Sequence, residues 1–136
     1  MKRVRTFIDA SLLIAAARGN QEISDQALEV LDDPTRSFVT SDFVRLEVVP
    51  KPVFHRRSEE VQFYLAFFAR VSRTVKSSSK LVALAQHEAE QFGLSAVDAL
   101  HVAAAKKAKG HEMITAEKPD KPLFRVRGVT MVTIRD

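Results

Sequence analysis

The chain has 136 residues, of which 46% are hydrophobic and 28% charged, a composition typical of one globular domain with a sizeable core. It contains no cysteine, which excludes disulfides and thiolate metal sites, and no apolar run of the roughly 20 residues that a membrane-spanning helix needs. The 21 Lys and Arg against 17 Asp and Glu give a net charge of +4, which is compatible with a polyanionic partner without requiring one. We therefore expect one domain over residues 1–136, located in the cytoplasm and not bound to a membrane.

Strand and helix signals alternate along the chain. In chain order they predict a strand at 4–8, helices at 10–18 and 21–32, a strand at 37–40, a helix capped at 41–42 and ending at 49, a helix at 57–69, a strand at 71–76, a helix capped within 77–79 and ending at 91, a helix at 95–109, and strands at 112–115 and 129–134. Pro50 is expected to terminate the helix after the second strand, and the Pro and Lys stretch at 118–122 predicts a loop. Such alternation implies parallel pairing. The predicted fold is therefore α/β, an open, mostly parallel sheet of about five strands flanked by helices.

Acidic residues recur where strands end. In an open parallel sheet, ligands gather beyond the carboxyl ends of the strands. Four acids are predicted near that edge: Asp9 after the first strand, Glu47 on the helix after the second, Asp98 in the first turn of the helix before the fourth, and Glu117 two residues beyond the fourth. Two carboxylates roughly 5 Å apart repel by about 3 kcal/mol at an effective dielectric near 20, so their convergence requires a cation. Oxygen ligands without His or Cys favour Mg²⁺ or Mn²⁺.

Each acid also has an ordinary structural explanation. Asp9 is placed to cap the helix that follows it, and a carboxylate in a first helical turn, as at Asp98, is favoured by the helix dipole. Glu47 precedes Lys51 by four residues, the spacing of a helical ion pair, and Glu117 lies in a loop where a solvated side chain is common. For each acid taken alone, the structural explanation stays open. The placement of all four acids at one edge of the sheet favours a metal site.

Three segments resemble one protein family. FIDASLLIAAA (residues 7–17) is similar to the opening motif of the PIN-domain nucleases, and FVTSDFVRLEV (38–48) resembles the segment that carries their second acid. The most specific segment is GLSAVDALHVAAAKKAKGHEMITAEK (93–118), which resembles a helix-opening Asp, an Ala-rich helix, a short strand and Thr-x-acid. Within the family, the chain looks most like the small VapC-like toxins of toxin–antitoxin pairs.

The resemblance also implies roles for individual residues. Those that match the metal-site acids and their polar helpers are Asp9, Glu47, Asp98, Ser11 and Thr115. The family usually has Asp two residues after the Thr. Here that position is Glu117, one methylene longer, and Asp120 lies close enough in the loop to take its place.

The family likeness implies a magnesium-dependent endoribonuclease, an antitoxin encoded alongside it, and frequent dimerisation. The acids alone give a compatible mechanism, since a carboxylate-held ion lowers the pKa of its water and stabilises charge on a phosphate. One alternative is a PIN-like module that binds RNA or protein without cleavage, because Glu117 replaces the usual Asp. A phosphotransfer or receiver-like domain using Asp9 is the third hypothesis. It is disfavoured because Ser11 stands where haloacid-type phosphatases have a second Asp.

Basic residues near the end of the chain are candidates for contacting RNA phosphates. They are Lys106, Lys107, Arg125 and Arg127. The lysines also have a structural explanation, because cations complement the C-terminus of a helix. His101, three residues after Asp98, could support the acids from behind. We favour the other interpretation, that it is an ordinary residue of the helix face.

Overall fold

Five short strands form one sheet in the computed structural model, which describes residues 2–136. They are β1 Val4–Ile8, β2 Arg36–Ser41, β3 Arg73–Val75, β4 Glu112–Thr115 and β5 Thr130–Thr133. All four neighbouring pairs are parallel, in the order β3-β2-β1-β4-β5. The predicted open, parallel α/β sheet of about five strands is therefore confirmed.

Helices connect the strands and cover the sheet. They are α1 Ala10–Arg18, α2 Gln21–Leu31, α3 Asp42–Val48, α4 Pro50–Phe54, α5 Ser58–Arg70, α6 Ser79–Phe92 and α7 Ala96–Lys107, with a 3₁₀ turn at Pro122–Arg125. Five of them begin after a residue whose side-chain oxygen accepts a backbone amide of the first turn: Asp9, Asn20, Ser41, Ser78 and Ser95. No helix among residues 2–136 is long and apolar enough to cross a membrane.

Most helix ends lie within one residue of the prediction, and the segment around Pro50 and the end of α7 differ most. The helix after β2 ends at Val48, and Pro50 begins a further short helix, α4, instead of only terminating one. Proline is well tolerated in a first helical turn, because its missing N–H has no helical partner there. The helix α7 ends two residues earlier than predicted, and Lys109 takes a positive φ of 56°, which is incompatible with a helix.

The sheet topology fixes the edge at which a site forms. Because β1 lies between β2 and β4, the strand order reverses at the β1/β4 pair. The register pairs Ile8 with Ile114, so the residues that follow both strands reach the same carboxyl edge. Buried residues such as Phe7 and Leu12 pack beneath that edge. The topology thus places the end of β1 and the end of β4 at the switch point, where α/β sheets bind ligands.

Candidate functional site

Asp9 is the first residue after β1 and is only 3% exposed. Its Oδ1 accepts a hydrogen bond from the Leu12 amide at 3.1 Å and another from the Ser11 hydroxyl at 2.7 Å. Asp9 is thus the N-cap of α1, as its structural alternative proposed. Both hydrogen bonds use the same carboxylate oxygen, Oδ1, and neither brings a positively charged side chain to Asp9.

The electrostatic environment of Asp9 is unfavourable to that charge. Burial raises the pKa of Asp9, while the hydroxyls of Thr115 and Ser11, the His101 ring and the Leu12 amide act in the opposite direction. Within residues 2–136, no Lys or Arg forms an ion pair with Asp9. A buried carboxylate without a cation is costly, and a bound cation would offset that cost.

Hydroxyl groups connect Asp9 to the end of β4. The Ser11 hydroxyl, which donates to Asp9, lies 3.0 Å from the Thr115 hydroxyl and accepts from the Ala116 amide at 2.9 Å. The Thr115 hydroxyl in turn accepts from the Glu117 amide at 3.0 Å. The two residues expected to be polar helpers therefore lie in one network with Asp9, and they hold the loop that carries Glu117 against the start of α1.

Glu47 reaches the same region from α3 and bonds His101 of α7. The distance between Glu47 Oε1 and His101 Nε2 is 2.9 Å. This contact is attractive only when Nε2 carries a proton, so Nε2–H donates to the carboxylate. The His101 side chain is 3% exposed and packs on the ring of Phe7, with centroids 6.1 Å apart.

This arrangement corrects two interpretations of the sequence. His101 is not an ordinary residue of the helix face, because its ring is buried and supports Glu47. Glu47 forms a hydrogen bond with His101, and among residues 2–136 it makes no ion pair with Lys51, four residues on. The His101 Nδ1 atom is buried without a hydrogen-bond partner. The sequence signal was a polar residue between Leu100 and Val102 in the middle of α7, but its partner lies 54 residues away.

A cleft of about 680 Å³ opens beside these residues. Its polar wall contains Ser11, Glu47 and Glu117. Four cationic side chains also line it: Arg18, Lys118, Lys121 and Arg135. No sequence pattern groups these cations, because they come from the last turn of α1, the loop after β4 and the segment after β5. An anionic ligand would meet positive charge around two carboxylates.

The remaining predicted acids lie outside the lining of the cleft. Asp98 is half-buried in the first turn of α7, and its amide donates to the Ser95 hydroxyl at 3.3 Å. It lies one turn before His101, on the same side of the helix. Asp120 is exposed in the turn after β4.

The side chains near the cleft have the donor atoms that a hard divalent ion prefers, but they are not yet close enough together to coordinate one. Across residues 2–136, no three His, Asp or Glu side chains are grouped closely enough to hold a metal ion. The donors near the cleft are carboxylate and hydroxyl oxygens, the ligands that Mg²⁺ and Mn²⁺ prefer. The buried carboxylate of Asp9, which no Lys or Arg of the described residues pairs with, is the feature of the structure that favours such an ion most directly.

The basic residues proposed for RNA contact do not line the cleft. Lys106 forms an ion pair with the buried Glu88, and Arg125 donates to the carbonyl of Phe92 at 3.3 Å. The end of α7 lies beside the start of β1, where Arg5 donates to the Lys109 carbonyl at 2.8 Å. Lys106 and Lys107 therefore lie at the amino edge of the sheet, opposite Asp9, while Arg125 and Arg127 are exposed before β5. Their contact with RNA stays a prediction.

Comparison with known proteins finds matches at the level of family and fold. The PIN domain model matches residues 6–118. The VapBC2 complex of Rickettsia felis bound to promoter DNA has a TM-score of 0.70 at 15% identity, covering 96% of this chain and 98% of that chain. A toxin–antitoxin complex from Klebsiella pneumoniae has a TM-score of 0.67 at 22% identity, covering 92% and 95%. Mycobacterium tuberculosis VapC20, described as a toxin that cleaves the sarcin–ricin loop, has a TM-score of 0.61 at 20% identity, covering 79% of this chain and 86% of that chain. A search of curated proteins returned no match.

Proposed function

Because the chain belongs to the PIN domain family, we propose that it is a metal-dependent endoribonuclease of the toxin–antitoxin type, acting on RNA in the cytoplasm. The observation that carries this proposal is the buried Asp9, which pairs with no Lys or Arg among residues 2–136 and lies behind a cleft that contains both carboxylates and basic side chains. RNA as the substrate is supported by the likeness to VapC20, described as a toxin that cleaves the sarcin–ricin loop.

The residues that would hold Mg²⁺ or Mn²⁺ are Asp9, Glu47, Asp98 and Glu117, with Asp120 as the alternative to Glu117. When bound, such an ion supplies an activated water and positive charge at the scissile phosphate. The Ser11 and Thr115 hydroxyls hold Asp9 in one rotamer, and His101 holds Glu47 at the cleft wall. These fixed contacts reduce the reorganisation needed when ligands gather around an ion.

The cations of the cleft are proposed to bind the phosphates on either side of the cut. Arg18 extends from the last turn of α1, Lys118 and Lys121 from the loop after β4, and Arg135 from the segment after β5. Four positive groups beside the two carboxylates of Glu47 and Glu117 would attract a polyanion and balance the repulsion between it and the acids. The predicted contacts at Lys106, Lys107, Arg125 and Arg127 then apply only to RNA long enough to leave the cleft.

We also propose two protein partners for this chain, an antitoxin and a second copy of itself. The similar structures include toxin–antitoxin complexes from Rickettsia felis and Klebsiella pneumoniae, which supports an antitoxin protein as the physiological inhibitor of this chain. Dimerisation is common in the family, and a homodimer is proposed on that basis alone. Co-expression with a neighbouring small DNA-binding protein, followed by co-purification and loss of RNA cleavage, is the test of the antitoxin.

Cleavage of a labelled RNA tests the proposed activity. The wild-type protein should cut in millimolar Mg²⁺ or Mn²⁺ and stop in EDTA, and Asp9→Asn should reduce the rate by at least about a hundredfold. Asparagine keeps the cap on Leu12, so a folded but inactive variant is expected. Cleavage that persists in EDTA, or in Asp9→Asn, would rule out the metal-dependent mechanism.

A second function, RNA binding without cleavage, is favoured by two observations. The acids do not group around one point within residues 2–136, and Glu117 stands where the family usually has Asp. This function predicts that several RNAs bind in EDTA, that divalent ions leave them intact, and that Asp9→Asn has no effect on their affinity.

A further inference from the structure

The helix α4 and the turn after it carry an exposed aromatic ring among positive charges. The Phe54 side chain is 80% exposed, more than any other large hydrophobic residue within 2–136. The ring of His55 packs edge-on against it, with centroids 5.0 Å apart. Lys51, Arg56 and Arg57 are exposed beside these two rings. We call Lys51, Phe54, His55, Arg56 and Arg57 the α4 platform.

The backbone at Arg56 is strained, and two backbone hydrogen bonds hold it in that conformation. Arg56 has a φ of 56°, its amide donates to the Val53 carbonyl at 3.1 Å, and the Arg57 amide donates to the Pro52 carbonyl at 2.8 Å. This is a Schellman motif, in which glycine is the usual residue at the left-handed position. Arginine there costs stability, and such strain is concentrated at functional sites. A role of the Arg56 side chain in binding would explain why the position is not glycine.

The platform is continuous with the cleft. One carboxylate oxygen of Glu60, Oε1, pairs with Arg18 at 3.9 Å and with Arg57 at 4.0 Å. Arg18 lines the cleft, so Glu60 brings a cation of the cleft and a cation of the platform side by side. Glu47, which also lines the cleft, precedes the start of α4 by only three residues. A chain leaving the cleft past Arg18 would reach Arg57 next.

We propose that the α4 platform binds single-stranded RNA that leaves the cleft, with one base stacked on Phe54 and phosphates held by Lys51, Arg56 and Arg57. This inference rests on RNA as the proposed substrate. Charge favours RNA over a protein partner, because residues 50–57 contain three Lys or Arg and no acid. Of the acids that flank this segment, Glu47 lines the cleft, Glu59 is exposed at the start of α5, and Glu60 pairs with Arg18 and Arg57. Stacking on an exposed aromatic ring accepts any base, and the neighbouring cations neutralise the phosphates.

The absence of tryptophan from the sequence makes the stacking directly measurable. Phe54→Trp would introduce a single tryptophan on the platform, excited selectively over the one tyrosine. Unlabelled single-stranded oligoadenylate and oligouridylate of about ten nucleotides are titrated in EDTA, so that no cleavage occurs. Quenching of the tryptophan on binding is expected. Binding without any change in its emission would overturn the stacking.

Affinity measurements on matched variants test the energetics. By fluorescence anisotropy in EDTA, Phe54→Ala should weaken RNA binding about tenfold and Phe54→Trp should restore it. Val82→Ala, at a 52% exposed position of α6, is the control and should bind as the wild type does. Equal affinity of Phe54→Ala and wild type would refute the proposal. A change in oligomeric state without a change in RNA affinity would refute it as well, by assigning the face to a protein partner.

Arg56→Gly separates binding from folding. Glycine relieves the positive φ and should raise the melting temperature, whereas loss of the cation should lower RNA affinity and reduce the salt dependence by about one phosphate contact. A more stable variant that binds RNA as well as the wild type would contradict the role of Arg56. Wild-type protein that binds no RNA would refute the proposed function and this inference together, while equal binding by wild type and all variants would refute the platform alone.

Discussion

Removal of the buried charge of Asp9 should stabilise the metal-free protein. Asp9→Asn keeps a side-chain oxygen for the Leu12 amide and the Ser11 hydroxyl, and asparagine is as good an N-cap as aspartate. What it removes is a carboxylate that is 3% exposed and pairs with no Lys or Arg within residues 2–136. An unpaired buried ion costs several kcal/mol, and the hydrogen bonds to Asp9 offset part of this, so we expect a gain of about 1–2 kcal/mol.

The sign of the pH dependence follows from the direction of the pKa shift. Because burial raises the pKa of Asp9 in the folded state, the folded protein binds the proton more tightly than the unfolded chain does. The wild type should therefore lose stability as pH rises from below the ordinary aspartate pKa of 3.8 through the raised folded value. Asp9→Asn should lack this component of the loss, so its advantage should be greatest near pH 7 and vanish in acid.

Thermal and urea unfolding in EDTA, followed by circular dichroism, measure these effects. For 136 residues, 1–2 kcal/mol corresponds to a rise in melting temperature of about 4–7 °C. Asp9→Ala is the control, since it removes the charge and also the cap, and the cap alone is worth about 1 kcal/mol. Saturating Mn²⁺, at a hundred times its dissociation constant, should stabilise the wild type by about 2.7 kcal/mol and leave Asp9→Asn unchanged. An Asn variant that is less stable than the wild type near pH 7 in EDTA would refute the reasoning.

Further variants test the other acids and their supports. Asp98→Asn should change the metal-free melting temperature little, because the side chain is half-buried and Ser95 provides the cap, but it should abolish the rise caused by Mg²⁺ in the same melts; a persisting rise would exclude Asp98 as a ligand. His101→Leu should weaken Mn²⁺ binding by at least about tenfold in calorimetry, because Glu47 loses its donor, and His101→Gln should recover part of the affinity. In the Glu47→Gln background His101→Leu should have no additional effect, and an additional loss would show that it acts by another route. Glu117→Gln should abolish RNA cleavage and Asp120→Asn should not, since only Glu117 lines the cleft; the opposite result would assign the fourth position to Asp120.

The sequence was informative where the signal is local. The segments VRTFI and EMIT have the β-branched and apolar composition of buried strands, and both are strands in the structure, over Val4–Ile8 and Glu112–Thr115. The position of Asp9 directly after the first of them was enough to place it at the carboxyl edge of a parallel sheet. Ser41 and Ser95 precede helices, as expected for caps. The alternation of strands and helices along the chain was then enough to predict a parallel α/β sheet.

What the sequence did not predict depends on packing between distant segments. The contact of Glu47 with His101 requires α3 and α7 to pack side by side, and no spacing rule predicts a pair 54 residues apart. Similarly, the cations of the cleft come from Arg18, the loop after β4 and Arg135, which meet only once the sheet has formed. The short helix α4 was missed because Pro50 permits two outcomes, the end of one helix or the first turn of another.

Crystallography of the protein in Mn²⁺, with anomalous diffraction to locate the ion, would test most directly whether Asp9 is a metal ligand. The expected result is an anomalous peak about 2.1 Å from an Asp9 oxygen, with Glu47, Asp98 or Glu117 moved to coordinate it. Mn²⁺ bound only at exposed carboxylates, with Asp9 bonded solely to Leu12 and Ser11, would contradict the proposed metal site and with it the nuclease mechanism.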